Sequence, residues 1–533
     1  MRDLDVVRER LRAHHPPSRP PGPDGTWPDI DYADRDGGLF RPLEHLRRAL
    51  GLPAPDRLRA LEAWRRLAPR SHNRWFNEIG APRLVGDALL DLDLTPEQRA
   101  TWGRWLAASA GPVEPTGLDL VRAQGVVLRR GLVEDAPELV ARAVDRMSEA
   151  LRRTGGEGIQ DDMSFHRHGP VPHAGGHGHA LACELALWVH AVHGTPWAFG
   201  PREVRRLVDF LLDGQQWAVH GGGFDFTVMG DDVGRAEAHR ATADLRTTVL
   251  RLLEADAPRH GELVAFDDRL AGRGAPLVGT RYYPRSGYLV HRRPGWSVSV
   301  RMSSPRTATS DTATSGGASG GNPRGRHLAD GVAAVRVGDQ AEDGYRAVLP
   351  VWDWARLPGV TAELGRSLTP RPAGARGAGE ATGWSDGRHG VAALRLAGVD
   401  GFTEGWKAWF CFDDVVVALG AGITAPDARN PVVTTIDQRL ADHGGIVYLP
   451  LSPGHFSGVE QRTGSWRDIG GTGSPRLLEA DVFTIGFDHG PGPRDASYAC
   501  AIVPGPHLPE VEVLANTVAR QAVRCGGVVL ERP

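Results

Sequence analysis

Lysine is almost missing from this chain: Lys407 is the only one in 533 residues, so nearly all positive charge is arginine. That bias reads as codon composition and assigns no function by itself. The formal net charge of −3 leaves no electrostatic footprint for nucleic acid or an anionic membrane, so neither is expected as a partner. Cysteine is nearly as scarce. Cys183, Cys411, Cys500 and Cys525 are widely spaced and form no CxxC unit. That argues against a zinc finger or a disulfide scaffold and predicts small buried apolar residues instead. The opening stretch, MRDLDVVRERLRAHHPP, lacks the apolar core of a signal peptide, and no run approaches the length of a membrane span. Read as it stands, the chain is expected in the cytoplasm, or outside the cell if a leader has been trimmed away.

What is present divides into two halves, as a chain too long for a single core must. Up to about residue 265, segments such as PLEHLRRALGL, RLRALEAWRRLA, TPEQRATWGRWLAASA and APELVARAVDRMSEALRR repeat apolar residues at three- and four-residue spacing. They predict amphipathic helices joined by Gly/Pro-rich loops, a helical array or toroid. After about residue 280 the period becomes two. GYLVHRRPGWSVSVRM, YRAVLPVWDW, VAALRLAG, WKAWFCFDDVVVALGAGI, GGIVYLPL and ASYACAIVPG predict strands of a large antiparallel sandwich. By alternation, Trp409 and Phe410 belong to its core. A small separate β-module is expected after about residue 450. The polar, low-complexity run at 307–325, TATSDTATSGGASGGNPRG, reads as a mobile loop. The expected domains are therefore 1–265, helical, and 280–533, β.

One stretch stands apart. DDMSFHRHGPVPHAGGHGHAL, residues 161–181, holds His166, His168, His173, His177 and His179. Imidazoles serve as general acids or bases, as metal ligands, or as satisfied polar residues, and composition alone does not choose.

Several motifs together narrow the choice. NRWFNEIGAPR at 73–83 resembles the N-W-W-x-W-E-I-G-x-P-R stretch of polysaccharide lyase family 8, which holds the hyaluronate, chondroitin AC and xanthan lyases. HRRPGWSVSVRMSSPR, WDWARLPGVT, GWKAWFCFDDVVVALGAGI and TTIDQR resemble that family's β-domain signatures in the same order. The resemblance implies an N-terminal incomplete (α/α) toroid followed by a large antiparallel β-sandwich. It implies a carbon–oxygen lyase acting on a uronic-acid-containing glycan by β-elimination, with no organic cofactor.

Such a reaction needs a base for the weakly acidic C5 proton, an acid for the departing O4, and a group that neutralises the uronate. In the family, Asn, His, Tyr and Arg do this work. Here His168 stands at the family's catalytic His, while His177 occupies its Tyr position. Asp119 stands where the carboxylate-binding Asn belongs. Asp231 replaces the first of two arginines and Arg235 keeps the second. The resemblance thus implies His177 as base, with the acid role open to it as well, His168 as partner or alternative base, Asp119 and Asp231 as electrostatic support through a metal, and Arg235 as anchor. It also implies Asn73, Trp75, Asp231, Arg292 and Arg306 as substrate-binding residues.

An amide and a guanidinium have both become carboxylates, and like charges repel strongly where water is excluded. Three resolutions are open. A divalent ion (zinc, manganese or calcium) held by Asp119, Asp231, His166 and His168 would replace the lost electrophiles. A neutral glycoside would make the carboxylates a hydrolytic pair. A protonated Asp would act as a donor. Plainer readings compete: Asp119 as a helix cap, Asp232 as a turn residue, Trp75 as core, Arg235 as a partner for Asp231, and His166, His173 and His179 as loop or helix-start residues. A glycoside hydrolase and a catalytically decayed carbohydrate-binding protein remain the alternative functions.

Overall fold

The helices begin where the sequence supplies their caps. Thr95 closes a capping box with Gln98, and Pro96 occupies the first turn of the helix Pro96–Ala108, where its missing N–H costs nothing. Leu43, Leu46, Ala49 and Leu50 form the buried stripe of Leu43–Leu50. Gly117–Glu134 is buried on most sides. Even its Arg129 is enclosed, paired with Asp87 at 2.6 Å and lying 4.8 Å from the Trp188 ring centroid. These helices share a core that includes Leu61, Trp64, Val85, Trp102 and Val126.

The structure is a computed structural model that describes every residue except 1–2, 14, 112–114, 153–154, 237–241, 310, 312–321, 339–343, 373, 443, 472 and 506–507. Most of the low-complexity run at 307–325 therefore lies outside the described residues. Among the described residues, no helix is long and apolar enough to cross a membrane.

Two units emerge. One comprises Met1–Arg152, Ala180–Val208 and Thr247–His260; the other comprises Arg153–His179, Asp209–Arg246 and Gly261–Pro533. The periodicity places residues 153–179 and 209–246 in the helical half, but they join the β-rich unit. The reason is local. They carry the short strands Gly158–Ile159, Phe165–Arg167, Val171–Pro172, Val219–His220 and Gly223–Phe224. Their polar groups bond to the sheets: His166 to Ser286, and the Trp217 carbonyl to Arg292. The helix Thr242–Glu254 passes from the β-rich unit into the helical one at Thr247, and His260–Leu270 belongs almost wholly to the β-rich unit.

All sheet pairing is antiparallel. Gly279–Tyr283, Tyr288–Arg293, Trp296–Met302 and Asp330–Val337 form one sheet. A six-stranded sheet runs Ala381–Ser385, Gly390–Arg395, Glu404–Cys411, Val416–Thr424, Ala496–Val503, Val447–Pro450. Its two faces are both covered, which is why its strands read as nearly unbroken apolar runs. Leu394, Trp409, Ala418 and Cys500 pack on one side against Val298, Val300 and Val335. Ala393, Phe410, Leu419 and Ala501 pack on the other against Val523 and Leu530. Trp409 and Phe410 thus occupy the core, as alternation predicts. All four cysteines are free; three are buried and Cys183 is half-buried.

Two β expectations need correction. No separate module starts at 450: His455–Gly464 and Leu478–Asp488 extend the sheet of Val432–Leu440, and Ala496–Val503 lies inside the six-stranded sheet. Only Val511–Asn516, Gln521–Cys525 and Val528–Glu531 form a sheet of their own. YRAVLPVWDW is not a strand but turns around a short 3₁₀ helix, Leu349–Val351. Pro350 has no N–H for a ladder, and Tyr345, Trp352 and Trp354 turn into the core instead.

Candidate active site

The histidine-rich segment is shaped by backbone geometry before any chemistry. After the strand Phe165–Arg167 the chain reverses through His168 and Gly169, at φ 55° and 79°. A left-handed conformation at a non-glycine residue is uncommon, though histidine is among the residues enriched there, and such strain gathers at functional sites. The chain then passes His173, which pairs with Met229 as an isolated bridge. It continues through a π-helical turn, Ala174–Gly178, into the helix His179–Val192. Such bulges recur at functional sites.

This path brings three rings together. The centroids of His168 and His177 are 5.2 Å apart with perpendicular planes. His173 lies 4.8 Å from His177 and 6.0 Å from His168. His173 is wholly buried, whereas His168 and His177 retain exposure. The network fixes the His173 tautomer. Its Nδ1 accepts the His177 N–H at 3.2 Å, so the proton sits on Nε2 and is donated to Asp231 Oδ1 at 3.0 Å.

Asp311 completes the floor. It accepts from His168 Nδ1 at 3.1 Å and from the Asp231 N–H at 3.0 Å, and lies 3.7 Å from His173 Nε2. Arg235, about half exposed, reaches Asp232 at 3.1 Å and Asp231 at 3.5 Å. Space is tight: a Cβ on Gly176 would meet the His173 ring and the Asp232 carboxylate, and one on Gly230 would meet the His173 ring.

The electrostatics separate the two accessible imidazoles. Burial, together with the neighbouring His173, Arg167 and His168, pushes His177 down to about 2, so it stays neutral. Burial acts on His168 in the same sense, but the hydrogen bond and charge of Asp311, with the charge of Asp231, outweigh it and raise its pKa. Burial would raise Asp231, yet the His173 hydrogen bond and the charge of Arg235 hold it far below the usual carboxylate range. Burial raises Asp232. Of the two carboxyls, Asp232 is the one whose surroundings favour the proton.

The sequence-based candidates fall into place unevenly. His168, His177, Asp231 and Arg235 meet in one cluster. His166 does not join it: its ring bonds Ser286 Oγ at 2.9 Å, and burial pushes it down to about 3, making it a neutral structural group. His173, read as a loop or helix-start residue, sits at the centre instead. Donor atoms of His168, His173, His177 and Asp231 lie within 4.8 Å of one another, so the metal-compatible set differs from the expected one at two positions. Asp119 belongs to the other unit, in the first turn of Gly117–Glu134.

Among the substrate-binding candidates, Asn73 is engaged locally, donating to the Gly37 carbonyl and accepting the Trp75 N–H, each at 3.0 Å. Trp75 is half-buried under Arg122, whose guanidinium lies 5.6 Å from a ring centroid. Arg292 donates to the backbone carbonyls of Trp217 and Val219, and Arg306 to those of Pro284 and Ala381. Both are engaged with backbone in the β-rich unit. Asp311 was missed because it lies in the low-complexity run. Its signal is that it is the one charged residue between Arg306 and Arg324.

Comparison with known proteins agrees along most of the chain. Residues 58–262 match the N-terminal α-helical domain of polysaccharide lyase family 8, and residues 278–457 and 441–515 match its super-sandwich domain. A chondroitinase-AC from Pedobacter heparinus is 26% identical, over 94% of this chain and 79% of that protein. A hyaluronate lyase from Thermasporomyces composti is 27% identical, over 85% and 68%. Among solved structures, a chondroitinase AC lyase studied with oligosaccharides has a TM-score of 0.84 at 24% identity, covering 98% of this chain and 86% of that one. A Streptomyces coelicolor chondroitin AC lyase in complex with chondroitin sulphate has a TM-score of 0.72 at 25% identity, covering 98% and 82%. With an α-helical domain followed by an antiparallel β-rich domain, and both family models matched in order, this chain belongs to polysaccharide lyase family 8, the carbon–oxygen lyases of acidic glycans.

Proposed function

We propose that the protein cleaves a uronic-acid-containing glycan by β-elimination, with His177 as the base and His168 as the acid. The observation that carries this reading is the pair itself: two accessible imidazoles, 5.2 Å between centroids, whose surroundings push their proton affinities in opposite directions. Groups separated in this way take opposite roles in proton transfer. His168, bonded to Asp311 through Nδ1, keeps its proton and presents Nε2–H to the departing O4. His177 stays unprotonated and ready to accept the C5 proton. A uronate carboxylate beside it supplies negative charge that raises its basicity in the complex.

The exchange of guanidinium for carboxylate at Asp231 does not leave bare negative charge, nor does the neighbouring Asp311 add any. Asp231 is engaged by His173 and Arg235, and Asp311 by His168 and the Asp231 N–H. Protonated His168 and the exposed part of Arg235 remain to face the substrate's acid group.

A second reading adds a divalent ion, favoured by the convergence of His168, His173, His177 and Asp231. Three imidazoles and one carboxylate suit zinc or manganese better than calcium, which prefers oxygen ligands. His173 would join by exchanging its Nε2 proton for the ion and taking one at Nδ1, giving up the His177 N–H bond. When bound, the ion would supply Lewis acidity toward the uronate and the charge developing at C5. In this reading Asp311 orients His168, and Arg235 still anchors the substrate.

One experiment tests both. Purified protein is offered chondroitin, hyaluronate and xanthan, before and after chelation and metal analysis, while near-ultraviolet absorbance and reducing ends are followed. Both signals should rise together, because elimination leaves a 4,5-unsaturated uronate. Reducing ends without absorbance would indicate hydrolysis and overturn the lyase reading. Full activity in metal-free protein would remove the ion. Glycan binding without turnover, unchanged by His168→Ala and His177→Ala, would support a binding protein instead.

A further inference from the structure

The β-rich unit contains a cavity of about 480 Å³ beside the hairpin of Val219–His220 and Gly223–Phe224. Its walls come from the end of the helix His260–Leu270, the loop that follows, and the turn between Tyr288–Arg293 and Trp296–Met302. Arg269, Arg273, Arg292 and Arg293 line it, with Phe266 and Trp296 as apolar walls, and no carboxylate is in the lining. In a chain whose net charge is −3, four guanidiniums around one hollow are a local excess.

The excess is only partly compensated nearby. Arg273 pairs with Asp268 at 3.2 Å and Arg293 with Asp413 at 2.9 Å. Arg269 donates to the Gln216 side-chain oxygen at 2.8 Å, and Arg292 to the backbone carbonyls of Trp217 and Val219. Those acceptors are neutral; the carboxylates that act on these two, Asp268 on Arg269 and Asp225 on Arg292, do so through space and not through a hydrogen bond. Arg293 is only 7% exposed, and its buried Nε has no acceptor. Burial depresses Arg269 and pushes Arg292 down to about 10. Guanidiniums withdrawn from water without an anion are costly, and an unmatched buried donor adds to that cost. An anion entering the cavity supplies the missing countercharge, and guanidinium forks match the planar or tetrahedral oxygens of carboxylate and sulfate.

We propose that this cavity binds an oxyanion-bearing saccharide, through a sulfate ester or a uronate carboxylate, at a site separate from the histidine cluster. The anion preference rests on the cavity alone; the saccharide part rests on the function proposed above.

The test is calorimetric titration of the intact protein at low salt with three probes: a sulfated unsaturated disaccharide, its desulfated and carboxyl-reduced neutral counterpart, and inorganic sulfate. The wild type should bind the sulfated disaccharide at least tenfold more tightly than either other probe. Arg269→Gln should weaken that binding tenfold or more, Arg269→Lys should restore most of it, and the kcat of either variant on a short substrate should stay unchanged. Melting curves confirm that both variants fold, and Arg273→Gln serves in place of a variant that does not. Equal affinity for inorganic sulfate would overturn the saccharide assignment. Wild-type affinity in Arg269→Gln, or no anion binding at all, would overturn the site. A failed lyase assay alongside a positive titration would remove only the reading of the histidine cluster.

Discussion

Two clusters in this molecule are built from the same residue types and are held in different ways. His168, His173, His177 and Asp231 form one; His327, Asp330 and Asp400 form the other, and both bring donor atoms within 4.8 Å. In the second, guanidiniums fill the space. Arg371 reaches Asp330 and Asp400 at 2.8 and 2.9 Å, and Arg326 reaches Asp400 at 2.7 Å. His327 bonds Asp330 at 2.9 Å, and both are almost fully buried. That is a closed ion-pair network. In the first cluster Arg235 stands at the edge, half exposed, and two imidazoles stay accessible. What separates a structural knot from the proposed reactive site is which side chain holds the carboxylates, not which residues gather.

The contrast can be broken by experiment. His177→Ala should lower kcat/KM by about 10²–10⁴, the usual worth of a positioned acid or base, with little change in melting temperature. Asp330→Asn should do the reverse: a loss of about 3–5 kcal/mol, because Arg371 is left buried and short of a partner, with turnover per folded molecule unchanged. Denaturant titration alongside initial rates separates the two, and a swapped pattern would erase the distinction.

Asp311→Asn sharpens it through pH. Asp311 raises the His168 pKa, and the protonated ring exists below that pKa, so activity that needs it falls as pH rises through it. Without Asp311 the fall should begin at lower pH, read from the alkaline limb of the kcat/KM profile. An unmoved limb would take the acid role from His168. Gly176→Ala should cost about 1–3 kcal/mol by overpacking against His173, and should reduce activity more than a similar change distant from the rings.

The smallest effect lies beside the closed cluster. Burial pushes Lys407 down to about 7, while the nearby Asp330 acts weakly in the opposite sense. Between about pH 7 and 10.4 the unfolded chain binds a proton that the folded one lacks, so this group makes stability rise with pH across that window. Lys407→Met should flatten the rise, a change of about 1–3 °C in Tm between pH 7 and 9.5 in a chain this long. An unaltered slope would mean the ammonium is hydrated in the fold.

The fold was legible because period carries it: the spacing of Leu43, Leu46 and Leu50 marks a helix, and the parity of Trp409 and Phe410 assigns each to its own core. The failures came where pattern and packing part. YRAVLPVWDW has the apolar composition of a strand, but Pro350 withholds the ladder hydrogen bond. In the site, local motifs located His168, His177, Asp231 and Arg235. They did not reveal that His173 lies beneath the pair, since one turn of π-helix decides which of five nearby imidazoles point together. Asp311 comes from 143 residues beyond His168, and no local pattern links the two.

The lone Lys407 has a practical consequence. Its ammonium nitrogen is enclosed, donating to the Gly359 carbonyl beneath the Trp409 ring. Amine-directed reagents should therefore leave the native chain without any acylated lysine, and a lysine-specific protease should find no accessible cut. Each becomes a yes-or-no reporter: modification or scission at one internal position records that the sandwich has opened, molecule by molecule, with no engineered tag.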